Sequence, residues 1–595
     1  MKPRVFISLF VAVCATMTAW AEAGVEVVLD GDTGWRSATR EYNDLDGATC
    51  VEISLSTDQE RTPPKTVAKW TVDARGVDLL WYADWFASHG VQGSRSTRVT
   101  EWTPLYVMVS ATGESLNTFA CSETVEKVVF CSSVDECECL HRCSFSFFQD
   151  GGRPRKAWKT VLRFDGRKTA MPEAMKSAIA WIDRQNGFEA MPPPPSAYDP
   201  LYSTWYAYHQ DVSATKVEAA CLQAADMGLK TVILDDGWQT PKNYSCSYDR
   251  CGDWMPDTVK FPDMRAHVDR VHSLGMRYLL WIAPSFVGTN SLAYARFKDK
   301  LLGHSFKGAV GVLDPRHPEV RRHVVELLED RMLRWNLDGF KLDFFGRWNY
   351  VGLVPDSGVD GVGVPEAVEK LLDAVKRRLT AVRPDVLIEF RQEYVGNAMT
   401  RYGNMLRVSD CPCDPVANRI GIASLRLMAP KSAIHSDMLE WPKTESALEA
   451  ARYVLNALFG VVQYSPALPG LSAEHEAMMR HWIRFSQDHR KALLHGTFRP
   501  HYPAAGYPLL EGECEDERVF GVYQPNFAVD VGKPDRQVVI VNGAFTDSVI
   551  LDLPFVPARA EAFNTFGDKV PLQPLTTGLN RIRLPSSGYL RIAWQ

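Results

Sequence analysis

Between Ser203 and about Gly496 the sequence repeats one pattern eight times, a short apolar run followed in most cases by an amphipathic stretch. The runs are STWYAY, TVILDD, MRYLLWIAP, GFKLDFF, VLIEFR, MLRVSD, SAIHSD and VVQYSP, beginning near Ser203, Thr231, Arg277, Gly339, Val386, Met405, Ser432 and Val461. Strands that are apolar on both faces and alternate with helices belong to a parallel sheet. Eight such units predict a closed (β/α)8 barrel rather than an open doubly wound sheet. Early helices are expected over Val212–Leu229, Met264–Leu274 and Ser291–Leu302. The period is clearest after Pro318, which suits a first helical turn. Val320, Val324, Leu327, Leu328, Met332 and Trp335 recur at helical spacing, while Arg321, Arg322, Glu326 and Glu329 face outward.

The flanks follow another pattern. From Val25 to about Gly151, short β-type runs (VEVVLD, TCVEISLS, TVAKWTV, LYVMVSA, KVVFCSS) are separated by turns, as in an all-β sandwich. The four prolines of Met191–Ser196 form a stiff boundary. After about Gly496 β-type runs return (RVFGVYQ, QVVIVNG, SVILDLP, NRIRLP, YLRIAW). The expected α/β architecture is a leader over 1–21, an N-terminal β-sandwich domain over 22–190, the barrel over 197–495 and a small antiparallel β domain over 496–595. A chain of 595 residues is long enough for several such cores.

Lys2 and Arg4 precede the apolar run Val5–Met17, and Ala19-Trp20-Ala21 is a small-x-small cleavage site. That is the pattern of a signal peptide, with an apolar run too short to span a membrane. Val13 precedes Cys14 where a lipoprotein leader would have a small residue, so free export is expected, secreted or periplasmic, with no membrane partner after cleavage. A net charge of -6 supplies no basic footprint for nucleic acid. Twelve cysteines follow the leader, five of them at Cys121, Cys131, Cys137, Cys139 and Cys143. Their spacing lacks paired C-x-x-C knuckles for zinc, with His141 as one further ligand, and export favours disulfide staples; Cys246 and Cys251 are placed to close a short loop.

Active sites of such barrels lie at the C-terminal ends of the strands. Carboxylates gather there: Asp235 and Asp236 after the second run, Asp343 on the fourth, Glu389 and Glu393 around the fifth, Asp410 after the sixth and Asp437 after the seventh. With no matching set of histidines, this ring suits acid–base or nucleophilic work on a neutral polyol, without metal or organic cofactor. Lys341 and Asp343 are two apart on one strand and project into the lumen, where the cation keeps the carboxylate ionised as a nucleophile requires. A structural ion pair is the competing account of the same spacing. A retaining glycosidase needs a second, protonated carboxyl across the bond. Asp410 fits by strand-end position, with Asp414 and Glu389 as rivals.

The ordered motifs LDDGWQ, GDW followed by KFP, VHSLGMRYLLWIAP, LDPRHPEV and GFKLDFF resemble glycoside hydrolase family 36. This is the group of melibiase-type retaining α-galactosidases, sharing a clan with family 27 and having raffinose-synthase relatives. The resemblance runs from about Trp205 to Pro500. It implies Asp343 as nucleophile and Asp410, in its Ser-Asp context, as acid/base. It implies that Asp235 and Asp236 hold the axial 4-hydroxyl and the 6-hydroxyl of galactose, that Lys341 contacts sugar hydroxyls and that Trp281 lines the pocket. Trp238 would stack on the sugar ring or pack in the core. A carboxylate holding two hydroxyls rejects an epimer that leaves it unpaired.

Two departures concern the pocket. Where relatives carry a Cys-x-x-Gly segment after the fifth strand, this chain has Glu389-Phe390-Arg391-Gln392-Glu393-Tyr394, and Asp410 is followed by Cys411-Pro412-Cys413 rather than by Asn. Arg391 and Gln392 would make the pocket more polar, for an amide, a carboxylate or a further sugar. The leading function is hydrolysis of terminal α-galactosides in an oligosaccharide or glycan, with oligomerisation left open. An α-N-acetylgalactosaminidase or a raffinose-synthase-like transglycosidase would use the same residues. A carbohydrate-binding barrel without catalysis is the third reading.

Overall fold

A computed structural model describes residues 24–594 apart from 32–33, 85–92, 244–247, 349–357, 362, 443 and 534. The expected leader with Cys14, and the Cys246 half of the expected loop closure, lie outside the described residues.

The N-terminal part is a sandwich of a five-stranded and a seven-stranded antiparallel sheet. Alternation along Thr49–Arg61 sends Val51, Ile53 and Leu55 into a core with Trp70, Tyr106, Phe130 and Phe145. The expected disulfide staples are not formed: the eleven described cysteines are free. Cys121 and Cys143 are spent as core residues, with Sγ facing Thr160 Oγ1 at 3.4 Å and Ser132 Oγ at 3.9 Å, while Cys137 and Cys139 stand exposed. Among the described residues no three His, Cys, Asp or Glu side chains converge as a metal site. A helix over Met171–Asn186, to which the sequence reading assigned no element, follows the sandwich. Pro172 opens it, Gly187 ends it at φ 62°, and its apolar face (Met175, Ala178, Ile179, Ile182) joins the core that surrounds the barrel.

The barrel is closed, with strands β1 (Leu201–Ser203), β2 (Thr231–Leu234), β3 (Arg277–Ile282), β4 (Gly339–Leu342), β5 (Leu387–Arg391), β6 (Met405–Arg407), β7 (Ala433–Leu439) and β8 (Val461–Tyr464). Their starts fall within two residues of the sequence reading. The period of two sorts each strand. Even-numbered residues such as Tyr278, Leu280, Phe340, Ile388, Leu406 and Ile434 join the core under the helices. Leu201, Ile233, Leu279, Leu387, Met405 and Ala433 form a separate apolar cluster that fills the lumen floor. Two residues further along the same strands the lumen turns polar, with Ser203, Asp235, Lys341, Glu389, Arg407, His435 and Gln463 all buried. That change of layer puts charge at the C-terminal end of the barrel.

The helix expected over Ser291–Leu302 is confined to Leu292–Phe297, and the chain then forms strands Leu301–Ser305 and Val310–Leu313, the second of which pairs with the first on one side and with Phe286–Gly288 on the other. Return to the barrel is made by the helix Pro318–Trp335, whose buried residues match the predicted face except that Leu327 is half-buried and Arg331 is buried, its Nε donating to Trp254 O at 2.8 Å. Beyond residue 496 a seven-stranded and a three-stranded sheet pack around Phe520, Val538, Ile540, Leu551 and Ile592. No helix among the described residues is long and apolar enough to cross a membrane.

Candidate active site

Asp343 follows β4 directly and is 7% exposed. Four donors converge on it. Oδ1 accepts from Arg391 Nε at 3.0 Å, from the Phe344 N–H at 2.6 Å and from the Tyr394 hydroxyl, while Oδ2 accepts from Trp281 Nε1 at 3.0 Å. Burial alone would raise its pKa. The Arg391 and Lys341 cations, with the Tyr394 and Trp281 hydrogen bonds, overcome that and hold the carboxyl well below the usual range. Oδ1 is saturated by three donors, whereas Oδ2 has one and keeps a lone pair free. Oδ2 is therefore the oxygen available for attack.

Lys341 stands differently from the sequence reading, which placed it beside Asp343. Its Nζ bonds Asp235 Oδ2 at 2.6 Å, because Asp235 shares its layer of the lumen and Asp343 lies one layer higher. Arg391, from the end of β5, supplies the direct cation instead. Asp236 turns to a separate cradle: Gln210 Nε2 reaches its Oδ2 and Gln239 Nε2 its Oδ1, both at 2.6 Å. Gly237, at φ 115°, permits this, since a Cβ there would strike the Gln210 backbone. Burial, helped by the Asp235 charge, pushes Asp236 up to about 6. The two acids of the LDDGWQ motif thus occupy different electrostatic settings.

Trp238 is not brought into the site. It is fully buried, meets Trp335 of the outer helix edge-on at 5.8 Å and donates its indole N–H to Trp281 O at 3.0 Å, which makes it part of the wall behind the barrel. Trp281, by contrast, touches Asp343 itself.

Asp410, just beyond β6, has its side chain 47% exposed, and Arg407 Nη2 donates to its Oδ1 at 2.8 Å. The same guanidinium bonds Asp437, which also accepts from the Tyr206 hydroxyl at 3.0 Å and the Cys411 N–H at 2.7 Å. Burial opposes the charge on Asp410, but Arg407, then Arg391 and Lys341, outweigh it and lower its pKa. Asp437 has no exposure at all, and burial raises its pKa against the pull of Arg407. Arg407, bonded to Asp410, and the nearby charge of Arg391 thus pull against the protonated resting state expected of it. Of the rivals, Asp414 caps the helix Pro415–Met428 by accepting from the Ala417 N–H at 2.9 Å. Glu389 is sealed in the lumen against Gln463 Nε2 at 2.5 Å.

Sequence reasoning missed Tyr394, Tyr206 and the part played by Arg407. Arg407 had a usable signal, since Arg391 and Arg407 pair across β5 and β6 at inward positions of otherwise apolar strands. Tyr394 had none, because it comes from a loop fixed by the N-terminal sandwich. The Trp102 N–H donates to Glu393 O at 3.1 Å, the Asn397 N–H to Thr103 Oγ1 at 3.1 Å, and Asn397 Nδ2 reaches Asp183 Oδ1 at 3.0 Å. Gln392 is likewise spent on structure, accepting the Ser409 N–H at 2.9 Å.

A family model described as melibiase matches residues 197–496, half of the chain. The chain belongs to the melibiase family. Among curated relatives, α-galactosidase AgaA of Geobacillus stearothermophilus is 24% identical over 316 residues, covering 50% of this chain and 42% of its own length. Alpha-galactosidase 2 of Pediococcus pentosaceus is 29% identical over 158 residues, covering 26% of this chain and 22% of its own. The chain thus spans less than half the length of these relatives. In solved structures the whole architecture recurs. The family 36 α-galactosidase AgaA superposes with a TM-score of 0.59 at 16% identity, covering 96% of this chain and 89% of the other. The α-galactosidase of Lactobacillus brevis gives 0.60 at 17%, covering 96% and 86%. This melibiase-family barrel therefore carries one buried, ionised carboxylate and one half-open carboxylate, with Arg391 charged toward both.

Proposed function

We propose that the protein is an exo-acting retaining glycoside hydrolase that removes terminal α-galactosyl residues by double displacement. Asp343 Oδ2 attacks the anomeric carbon and forms a covalent glycosyl-enzyme. Asp410 gives its proton to the leaving oxygen and then takes one from the incoming water. The observation that carries the reading is the setting of Asp343, a buried carboxylate kept charged by two cations with one oxygen free.

Asp410 is half-open and ionised before substrate arrives. A neutral sugar covering it removes water, raises its pKa and favours uptake of the proton it must deliver. Asp235 and Asp236 take the 4- and 6-hydroxyls of galactose, and the resemblance of the LDDGWQ motif supports this sugar. Variants of AgaA have been crystallised with raffinose and with stachyose. Oligosaccharides of that class are the substrates we assign to this chain. The leader motif at residues 1–21 supports action outside the cytoplasm.

Trapping with a 2-fluoro α-galactosyl fluoride, followed by peptide mass mapping, is expected to label Asp343. Label on any other carboxylate refutes the assignment, and a preference for α-glucoside in a panel of 4-nitrophenyl α-glycosides refutes the sugar.

A further inference from the structure

At the N-terminal end of the barrel, opposite the mouth that holds Asp343 and Asp410, lies a cavity of about 320 Å³. The helix Met171–Asn186, the last turn of the helix Pro415–Met428 and the strand Thr497–His501 of the C-terminal domain contribute to its lining. So do Tyr198 and Ser432, which come just before β1 and β7. The volume falls within the range of small-molecule sites, about 300–1,000 Å³.

Arg426 dominates the chemistry of this lining. Its Nη1 donates to Phe459 O at 3.0 Å and to Leu493 O, and the Phe498 ring covers the guanidinium with its centroid 4.1 Å from Cζ. The two carbonyls use both hydrogens of Nη1. Nε and Nη2, the pair that makes the side-on fork of a guanidinium, have no acceptor among the described residues, and no carboxylate there stands within ion-pair distance. Burial pushes the Arg426 pKa down to about 9, opposed only by the Tyr198 hydroxyl. Taking a cation out of water without a counter-charge is costly. Arg163, Arg391 and Arg407, by contrast, each meet a carboxylate.

Ser432 adds a second unspent donor, for it is 5% exposed and its hydroxyl has no partner. Lys176 stands exposed in the same lining. Burial, with the charges of Arg490 and Arg426, holds His495 below its ordinary pKa, so positive charge is in excess here. Glu173, also exposed, is the one acid in the lining.

We infer that this cavity is a binding site for a small oxyanion, gripped by the Nε–Nη2 edge of Arg426 with Ser432 Oγ as a further donor. That edge presents two parallel N–H groups, which a phosphate or carboxylate group accepts together. Because the helix Met171–Asn186, the barrel and the C-terminal domain all line the cavity, the bound ion ties three parts of the chain together, and its binding adds to their stability. The inference is independent of the reaction proposed at the other end of the barrel.

Titration calorimetry at pH 7 and fixed ionic strength, with inorganic phosphate and with acetate, tests it in the wild type, Arg426→Lys and Ser432→Ala. Wild type is expected to bind at least one of the two saturably, with Tm rising as the site fills and unmoved by sodium chloride of the same ionic strength. Tighter phosphate assigns a tetrahedral group and tighter acetate a carboxylate, and either upholds the site. Arg426→Lys keeps the charge but loses the fork, and is expected to weaken binding about tenfold. Ser432→Ala removes a hydroxyl that has no partner, so Tm without anion is expected to hold while binding weakens by about three- to tenfold. Absence of saturable binding in the wild type, or binding that neither substitution weakens, overturns the inference. Should Arg426→Lys fail to fold, Ser432→Ala decides alone.

Discussion

Replacing Arg391 by Met removes the one cation in contact with Asp343 while keeping a side chain of similar length. Arg391 Nε lies 3.0 Å from Asp343 Oδ1, so the charge centres are about 4 Å apart. At an effective dielectric constant of about 20 that attraction is worth about 4 kcal/mol, or about 3 pKa units. Trp281, Tyr394 and Lys341 remain, so the carboxyl rises from well below its usual range toward that range. The assay is kcat/KM against pH for an α-galactoside with a good leaving group, in which protonation by Asp410 counts for little and the acid limb reports Asp343. Wild type is expected to be flat down to strongly acidic pH. Arg391→Met is expected to lose activity at a distinctly higher pH than wild type and to fall tenfold per unit below its midpoint. At pH 7 Asp343 stays ionised in both, so any loss there measures geometry. Arg391 also lowers the pKa of Asp410, so for a poor leaving group the alkaline limb moves upward as well. An acid limb that does not move in a variant of unchanged Tm would refute the claim that Arg391 holds the charge on Asp343.

Asp410→Ala is expected to slow substrates with poor leaving groups far more than those with good ones, and azide to restore rate as a glycosyl azide; equal losses without rescue remove Asp410 from the acid role. Because Asp410 is ionised in the free protein and covered in the complex, kcat/KM for a poor leaving group is expected to fall with rising pH at lower pH than kcat does, and coincident limbs would refute that account. Lys341→Met leaves Asp235 buried and unpaired and is expected to cost about 3–5 kcal/mol in urea unfolding, with Asp235→Asn in the same chain recovering part of it. Asp235→Asn and Asp236→Ala are each expected to lower kcat/KM for α-galactoside by two decades or more, following a few kcal/mol of lost transition-state contact, and an unchanged ratio of galactoside to glucoside activity in both would remove them from sugar recognition.

The eight barrel strands were legible because a strand buried on both faces must be continuously apolar, and the residues breaking that run (Asp235, Lys341, Glu389, Arg407) mark the polar layer of the lumen. The same logic put Asp343 and Asp410 at strand ends, which is a property of chain position alone. Which charges meet was decided by the closed barrel. Lys341 reaches Asp235 rather than Asp343 because those two share a layer across strands far apart in sequence. Arg391 and Arg407 fall side by side only through the β5–β6 register. Trp238 was excluded from the pocket by the helix that packs behind it, and Asp414 by its role at a helix start. The cysteines, grouped along the sequence, were separated by the sandwich into core and surface positions. Local pattern determined where strands run and where they end, because period and polarity are properties of single segments. Partner, layer and protonation state are properties of pairs of segments, and they exist only once the barrel has closed and the sandwich has fixed the loop that carries Tyr394.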